Sequence, residues 1–306
     1  MKKILISGTI ICVLSLSATH VHARLSKEYL SWIKGEFEIP EEIKKARNVS
    51  ELQPFLESIR EFTRMAAIRR LGQIEGPKAI GPLREVFSKE PSPRGLHRVP
   101  LVKLEILRTL GRIGTEEAKS AVLNIVVSYL KRGPRCDCTK CKGKALYPQH
   151  DRDYQSVTPA ALKTLQKWRH DKEILGLSKQ IALDERLRST PVRVSAWELH
   201  LMTNMAKEKI ATEKESAEYL VNFLAQTGIE PETYVVKDGV GVRTLKSIKT
   251  EAVGSILKGY GQQALSYFEE ELKRTAASDV SRRQALSYAI ARIRESVKSK
   301  KEKRGE

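Results

Sequence analysis

The chain has 306 residues, of which 41% are hydrophobic and 6% aromatic. This composition excludes a disordered polymer, a collagen-like rod and a multi-span membrane protein, and it supplies enough apolar side chains for a buried core. The 55 Lys and Arg residues outnumber the 37 Asp and Glu residues, which gives a formal net charge of +18. A surface this basic favours anionic partners and opposes self-association.

The N-terminal residues 1–23 have the pattern of a secretory signal peptide. Lys2 and Lys3 precede an uncharged run over residues 4–18, and Val21 and Ala23 form a small-residue cleavage site. The run is shorter than the roughly 20 residues that a membrane-spanning helix needs. We therefore expect cleavage, a mature protein in the periplasm or secreted, and no stable membrane insertion after cleavage.

An internal repeat follows the signal sequence. Residues 64–87 align without gaps on residues 103–126, and the alignment places apolar residues on apolar residues. The aligned pairs include Met65 with Leu104, Ile68 with Leu107, Leu71 with Leu110, Ile74 with Ile113, and Leu83 with Val122. Within each copy the apolar residues recur at intervals of three and four, which is typical of a helix that buries one stripe. Each copy therefore predicts a pair of helices.

The first helix of each pair is predicted to end at a Leu-Gly-x-Ile turn, at Leu71–Ile74 and at Leu110–Ile113. Glycine there allows either a close approach of helices or a left-handed backbone. Pro77 suits the opening of the second helix. Since one pair cannot enclose its own apolar face, we expect the pairs to stack on one another.

The segments AAIRRLGQIEGPKAIGPLREVF and LEILRTLGRIGTEEAKSAVLNIV resemble HEAT repeats of the short bacterial kind that is also found in phycobilin lyases. Weaker copies follow at residues 161–168, 192–224 and 252–272, and residues 285–293 predict a last helix. The resemblance implies an all-α fold, an α-solenoid of about five HEAT-like helix pairs. It carries over no catalytic residue.

The predicted organisation has five parts. They are the signal peptide at 1–23, N-terminal repeats at 24–130, a basic Cys-rich loop insertion at 131–158, C-terminal repeats at 159–295 and a charged, solvated tail at 296–306. Residues 233–244, around Asp238-Gly239, predict either a small β-hairpin or an irregular loop joining two helix pairs.

The insertion contains Cys136, Cys138 and Cys141 in the spacing C-x-C-x-x-C. With His150 these thiols could form a three-thiolate, one-imidazole set for zinc or copper. The favoured alternative is a disulfide that pins the loop, and an odd number of cysteines leaves at least one without an intramolecular partner. A third alternative is thiol-redox chemistry at Cys138 and Cys141, because nearby cations lower thiol pKa values.

The repeat also predicts a basic patch. Arg69 and Arg108 are equivalent, so stacking should bring them onto one face roughly 10 Å apart. Lys103, Arg112 and Arg84 are expected to broaden the patch, which could bind an acidic protein segment or a phosphate-bearing polymer. The alternative is a generally positive surface that only aids solubility.

These features predict an exported, non-catalytic scaffold that binds an unknown envelope protein, acidic where it meets the patch, and that needs no cofactor. The alternative is a metal-binding or thiol-redox protein that uses Cys136, Cys138 and Cys141. The positive charge would allow a nucleic-acid partner, but the predicted export of the protein argues against one. Lyase activity would rest on fold analogy alone.

Overall fold

The computed structural model describes most of the chain beyond its N-terminal segment. The described residues are 38–91, 99–134, 151–184, 187, 189–230, 233–237 and 240–304. They are helical apart from their connecting loops and one pair of short strands, which confirms the predicted helical fold class in its broad form. The predicted signal peptide lies outside the described residues.

The helices are, in chain order, α1 (Glu41–Lys45), α2 (Val49–Leu56), α3 (Glu61–Glu75), α4 (Ile80–Lys89), α5 (Leu101–Ile113), α6 (Glu116–Arg132), α7 (Arg152–Leu165), α8 (Lys172–Leu183), α9 (Thr190–Lys207), α10 (Glu213–Thr227), α11 (Leu245–Leu257), α12 (Gln262–Arg274) and α13 (Val280–Arg304). Short 3-10 turns at Gly76–Ala79 and Gln166–Trp168 precede α4 and follow α7. The strands are β1 (Tyr234–Lys237) and β2 (Val240–Arg243).

From α3 onward the helices alternate between two roles in the packing. The first helices of the pairs lie side by side, with α3 against α5, α5 against α7, α7 against α9, and α9 against α11. Each second helix packs against the first helix of the next pair, as α4 does on α5 and α6 on α7. The aligned segments 64–87 and 103–126 are therefore neighbours in the structure, through α3 with α5 and α4 with α6.

The buried leucines show why the first helices pack in this order. Leu71 of α3, Leu110 of α5 and Leu165 of α7 each have 0% exposed surface. Each such side chain contributes about 1.5–3 kcal/mol when it leaves water. Because α5 lies between α3 and α7, its apolar stripe is covered from both sides, and the repeat can continue in the same way.

Side-chain caps begin several of these helices. Thr115 accepts a hydrogen bond from the Ala118 backbone N–H at the start of α6. Thr212 and Glu215 form a reciprocal capping box at the start of α10, with distances of 3.1 and 3.0 Å. Such caps satisfy N–H groups that have no partner inside the helix, and each contributes about 1 kcal/mol.

The predicted ends of the first helices agree with the structure to within one residue. Leu71–Ile74 lies inside α3, which continues to Glu75, and Leu110–Ile113 is the last turn of α5. The positive φ angles that favour glycine fall instead at Gly76 (52°) and Gly114 (71°), just beyond each helix.

The glycines of the Leu-Gly-x-Ile sequences serve close helix approach instead. A Cβ on Gly72 of α3 would overlap the methyl group of Thr109 in α5. A Cβ on Gly111 of α5 would lie 2.9 Å from the methyl group of Thr164 in α7. The same glycine therefore brings each first helix close to the next one.

The loop insertion is shorter than the predicted range 131–158. Helix α6 continues to Arg132, and α7 begins at Arg152 and contains Pro159. The actual start is capped by Asp151, whose carboxylate accepts from the Tyr154 backbone N–H at 2.8 Å.

The predicted charged tail at 296–306 is helical as far as the structure describes it. Helix α13 continues through Arg304. Lys298 and Glu302 lie 3.9 Å apart at a spacing of four residues, a pairing that supports an exposed helix. Ser296 donates a hydrogen bond to the Lys258 carbonyl, which attaches this part of α13 to the end of α11.

The strands lie in the segment for which a hairpin and an irregular loop were both considered. They pair antiparallel, with Tyr234 opposite Arg243 and Lys237 opposite Val240. Asp238 and Gly239, between the strands, are outside the described residues. Among the described helices, none combines the length and the apolar character that crossing a bilayer would require.

Candidate functional site

Three arginines from two neighbouring helices converge on one carboxylate, Glu105 of α5. Arg69 of α3 has Nε 2.9 Å from Glu105 Oε1 and donates from Nη2 to Oε2 at 3.1 Å. Arg112 approaches Oε1 at 3.0 Å, and Arg108 approaches Oε2 at 3.4 Å. The Glu105 side chain is 3% exposed, whereas those of Arg69, Arg108 and Arg112 are 44%, 65% and 52% exposed. A single buried negative charge therefore lies beneath three guanidinium groups that reach solvent.

The buried carboxylate depends on these arginines. A charge removed from water is tolerated in a protein when it is paired and hydrogen-bonded. The hydrogen bond from Arg69 to Glu105 raises the pKa of Arg69 above its usual value, so this arginine stays charged. Glu105 neutralises one of the three positive charges, and the cluster keeps an excess of two at the surface.

Helix α7 continues the positive positions. When Leu165 is aligned with Leu110, the two buried leucines described above, cations fall on cations. The aligned pairs are Arg108 with Lys163 and Arg112 with Lys167. Arg69, Arg108 and Lys163 thus occupy one repeat position on three consecutive first helices.

The contacts of α7 repeat the link between a cation and the next helix. Lys163 lies 3.7 Å from Glu198 of α9, whose side chain is 5% exposed. This is the same relationship as Arg69 to Glu105, two pairs further along the chain. Lys167 donates from Nζ to the Gly111 carbonyl at 2.6 Å, across the end of α5. The cations of α5 and α7 therefore lie on one continuous surface.

We call this surface the basic row. It comprises Arg69, Arg108, Arg112, Lys163 and Lys167, together with Arg169, which lines one groove with Lys163, and all six side chains are exposed. The row has six cations, and Glu105 and Glu198 are the buried carboxylates beneath it. Arginine and lysine side chains in such excess bind carboxylate or phosphate groups.

The prediction that Lys103 broadens the patch is wrong. Its side chain is 6% exposed and lies 3.0 Å from Asp153 Oδ2 of α7. Tyr129 of α6 donates to the same oxygen at 2.7 Å. Burial and the Asp153 charge together raise the pKa of Tyr129 far above its usual value. Lys103 thus joins three helices in the interior, on the opposite side of α5 from solvent.

Arg84 is exposed but does not lie on the basic row. It borders a shallow groove between α4 and α6 with Lys78 and Glu117. The second helices carry this groove, whereas the first helices carry the row. Arg69 and Arg108 share one repeat position, and Arg112 lies one turn further along α5 and contacts the same carboxylate, Glu105. Arg84 has no such relationship to them.

Comparison with known proteins identifies a repeat in the segment that begins this surface. Residues 63–89 match the family described as PBS lyase HEAT-like repeat. The resemblance predicted from the sequence is thereby confirmed for this segment. The match covers most of α3, the turn at Gly76–Ala79 and α4. None of the curated proteins and none of the solved structures compared with the chain matches it.

The HEAT-like segment contributes one member, Arg69, to the basic row. Arg108 and Arg112 belong to the next pair, and Lys163, Lys167 and Arg169 follow in the pair after that. The extension of the row beyond the matched repeat rests on the side-by-side packing of α3, α5 and α7.

The predicted metal ligands Cys136, Cys138, Cys141 and His150 lie outside the described residues. Within the described parts of the chain, no three His, Cys, Asp or Glu side chains are grouped so that they could hold a metal ion. Of the described residues on either side of the segment 135–150, Arg132 at the end of α6 lies 2.9 Å from Asp151 at the start of α7.

Sequence reasoning missed the carboxylates Glu105 and Glu198, Lys163 of α7 and Lys167 of the turn that follows it. Glu105 has Ala66 at its equivalent position in α3, so the alignment of the first two copies contains no signal for it. Lys163 and Lys167 could have been found, since aligning Leu165 with Leu110 places them on arginines. The predicted insertion covered 28 residues, 131–158, and so included the first half of α7. With only the second half of the helix assigned, the alignment was not made.

Proposed function

We propose that this protein is an exported, non-catalytic α-solenoid scaffold that binds an acidic segment of a partner protein along its basic row. The observation that carries the proposal is the repetition of Arg69, Arg108 and Lys163 at one position of consecutive first helices. Stacked repeats expose such positions as a continuous surface, which suits an extended partner. The export signal predicted at residues 1–23 supports a partner in the cell envelope.

The chemistry of the row favours carboxylate groups. Arg108 and Arg112 are each about half exposed or more, and each contacts Glu105 through one nitrogen in the distances described above. Their remaining N–H groups can donate to a second carboxylate, since a guanidinium has five donors. Asp and Glu side chains of a partner would therefore add to an arrangement that Glu105 already stabilises.

The charges of the row support binding rather than catalysis. Arg69 and Lys163 pair with carboxylates of the neighbouring helix, and Lys167 covers a helix end. The matched family description contains the word lyase, whereas the contacts described for these residues hold charge at a surface.

The test is capture of envelope proteins by the purified mature protein and by two variants with equal loss of charge. Arg108→Gln with Arg112→Gln removes two cations of the row while Arg69 remains paired with Glu105. Lys78→Gln with Arg84→Gln removes two exposed cations from the second helices and is the matched control. Bound proteins are eluted and quantified by mass spectrometry.

We expect wild type and the control to capture the same acidic proteins. The row variant should bind them roughly two- to thirtyfold more weakly, because an exposed ion pair contributes about 0.2–1 kcal/mol. Equal capture by both variants would refute the proposal. Complete displacement of the captured proteins by duplex DNA would instead identify the row as a nucleic-acid surface.

A further inference from the structure

The basic row leads directly into a groove whose lining is partly apolar and partly polar. The groove lies among α7, α9 and α11 and has a volume of ≈ 460 Å³. Its apolar lining includes Met202, Met205, Ile210 and Ile256. Lys163 lies at its edge and is also a member of the row, so the charged and the apolar surfaces share a residue.

The groove suits a large apolar side chain. Its volume falls in the range of roughly 300–1,000 Å³ that is typical of ligand sites. Methionine side chains are unbranched and polarisable, and they adapt to differently shaped apolar groups. Met202 and Ile256 are half-buried, which leaves part of each side chain facing the open groove. The rest of the lining is largely polar and includes Lys163, Gln166, Arg169, Glu198, Ser216, Ser255 and Tyr260.

We propose that this groove receives a bulky aliphatic or aromatic side chain of the same acidic segment that the basic row binds. This inference rests on the proposed function and specifies its partner: a short acidic stretch with one apolar anchor residue. Leu, Ile, Met and Phe are the side chains that fit this chemistry. Anchors of this kind, surrounded by polar contacts, carry much of the affinity of protein interfaces.

The spacing within the partner follows from the packing of the helices. Neighbouring helices lie about 8–10 Å apart, so two steps from α5 to α9 span roughly 20 Å. An extended chain covers about 3.3–3.6 Å per residue, and the anchor should therefore lie about six residues from the acids that meet Arg108.

Charge argues against a second copy of this chain as the occupant. The chain has a net charge of +18, and a second copy would bring a similarly basic molecule to a basic surface. Repulsion between like charges opposes such an association. An acidic segment gains attraction along the row before its anchor reaches the groove.

The test uses synthetic fluorescent peptides and the purified mature protein. The anchored probe has four Asp residues at its centre and a Leu-Phe pair about six residues away on each side, so that either chain direction can bind. The acidic probe replaces both Leu-Phe pairs by Ser-Ser. Fluorescence anisotropy measures the dissociation constant of each probe at several salt concentrations.

We expect the anchored probe to bind at least about tenfold more tightly than the acidic probe, because the free energy of burying one large apolar side chain corresponds to at least that ratio of dissociation constants. Met202→Gln with Ile256→Gln should reduce the anchored probe to the affinity of the acidic probe and leave the acidic probe unchanged. Val127→Gln with Val280→Gln replaces two exposed apolar residues elsewhere, 38% and 57% exposed, and is the control.

The outcomes separate the two proposals. Equal binding of both probes to wild type would refute the groove and leave the acidic partner standing. Binding of neither probe would refute the proposed function itself. If the groove variant fails to fold, an anchored probe with a photo-crosslinking residue in place of Phe tests the groove in the wild-type protein. Crosslinks to α9, to α11 or to Gln166, which also lines the groove, support the proposal, and crosslinks elsewhere refute it.

Discussion

Gly72 of α3 lies against Thr109 of α5 with no room for a methyl group between them. Gly72→Ala should therefore lower the free energy of unfolding by about 1–3 kcal/mol, the usual cost of overpacking. Alanine is favoured over glycine inside a helix by up to ~1 kcal/mol, and that gain reduces the loss only in part. Urea unfolding followed by circular dichroism measures the change.

Two further variants make this prediction specific. Gly176→Ala in α8 is the control, because a Cβ there meets nothing within 4 Å, and it should leave stability unchanged or raise it. Thr109→Ser combined with Gly72→Ala removes the obstructing methyl group and should restore most of the loss. A Gly72→Ala protein as stable as wild type would contradict the close approach of α3 and α5.

The buried contact between Lys103 and Asp153 predicts a strongly coupled pair. Asp153→Ala leaves the Lys103 ammonium inside the protein without its carboxylate, and we expect a loss of about 3–5 kcal/mol in unfolding free energy. Lys103→Met in the same chain removes the buried charge and should recover part of that loss. Urea unfolding measures the two single variants and the double variant. If the double variant loses as much stability as the two single variants added together, the pair is not coupled.

His200 predicts a pH dependence of stability. Burial, helped by the charge of Lys179, lowers the pKa of His200 below its ordinary value. The unfolded chain therefore takes up this proton at a higher pH than the folded chain does. Stability should be full above the unfolded pKa of about 6.5 and should fall as the pH decreases below it.

His200→Gln should flatten this decline between about pH 7 and pH 5.5, a window above the ordinary carboxylate pKa values. The exposed His170→Gln variant is the control and should keep the slope of wild type. Unfolding free energies at several pH values decide the matter, and parallel curves for wild type and His200→Gln would contradict the assignment.

The cysteines outside the described residues predict a thiol count. If two of Cys136, Cys138 and Cys141 form the favoured disulfide, denatured mature protein should react with one equivalent of a thiol reagent before reduction and with three after it. Protein purified from the exported fraction is required, because the disulfide depends on that compartment. Three thiols before reduction, together with one equivalent of released zinc or copper, would establish the metal alternative.

The two clearest repeats were predictable because apolar periodicity and glycine position recur in the same order in both. The alignment of Leu71 with Leu110 located neighbouring helices and put Arg69 near Arg108. Burial of Lys103 was not predictable, since it depends on Asp153 across a long insertion. Lysine is usually exposed, and only the packing of α6 and α7 onto α5 shows otherwise.

The carboxylates beneath the basic row affect how tightly it can hold a partner. A free arginine on a surface samples many rotamers, and ordering it on binding costs about 0.5–1.5 kcal/mol. The hydrogen bonds from Arg69 and Arg112 to Glu105 restrict these side chains before any partner arrives. Glu105 thus neutralises one positive charge at the surface. It also lowers the side-chain entropy that these arginines lose when a partner binds them.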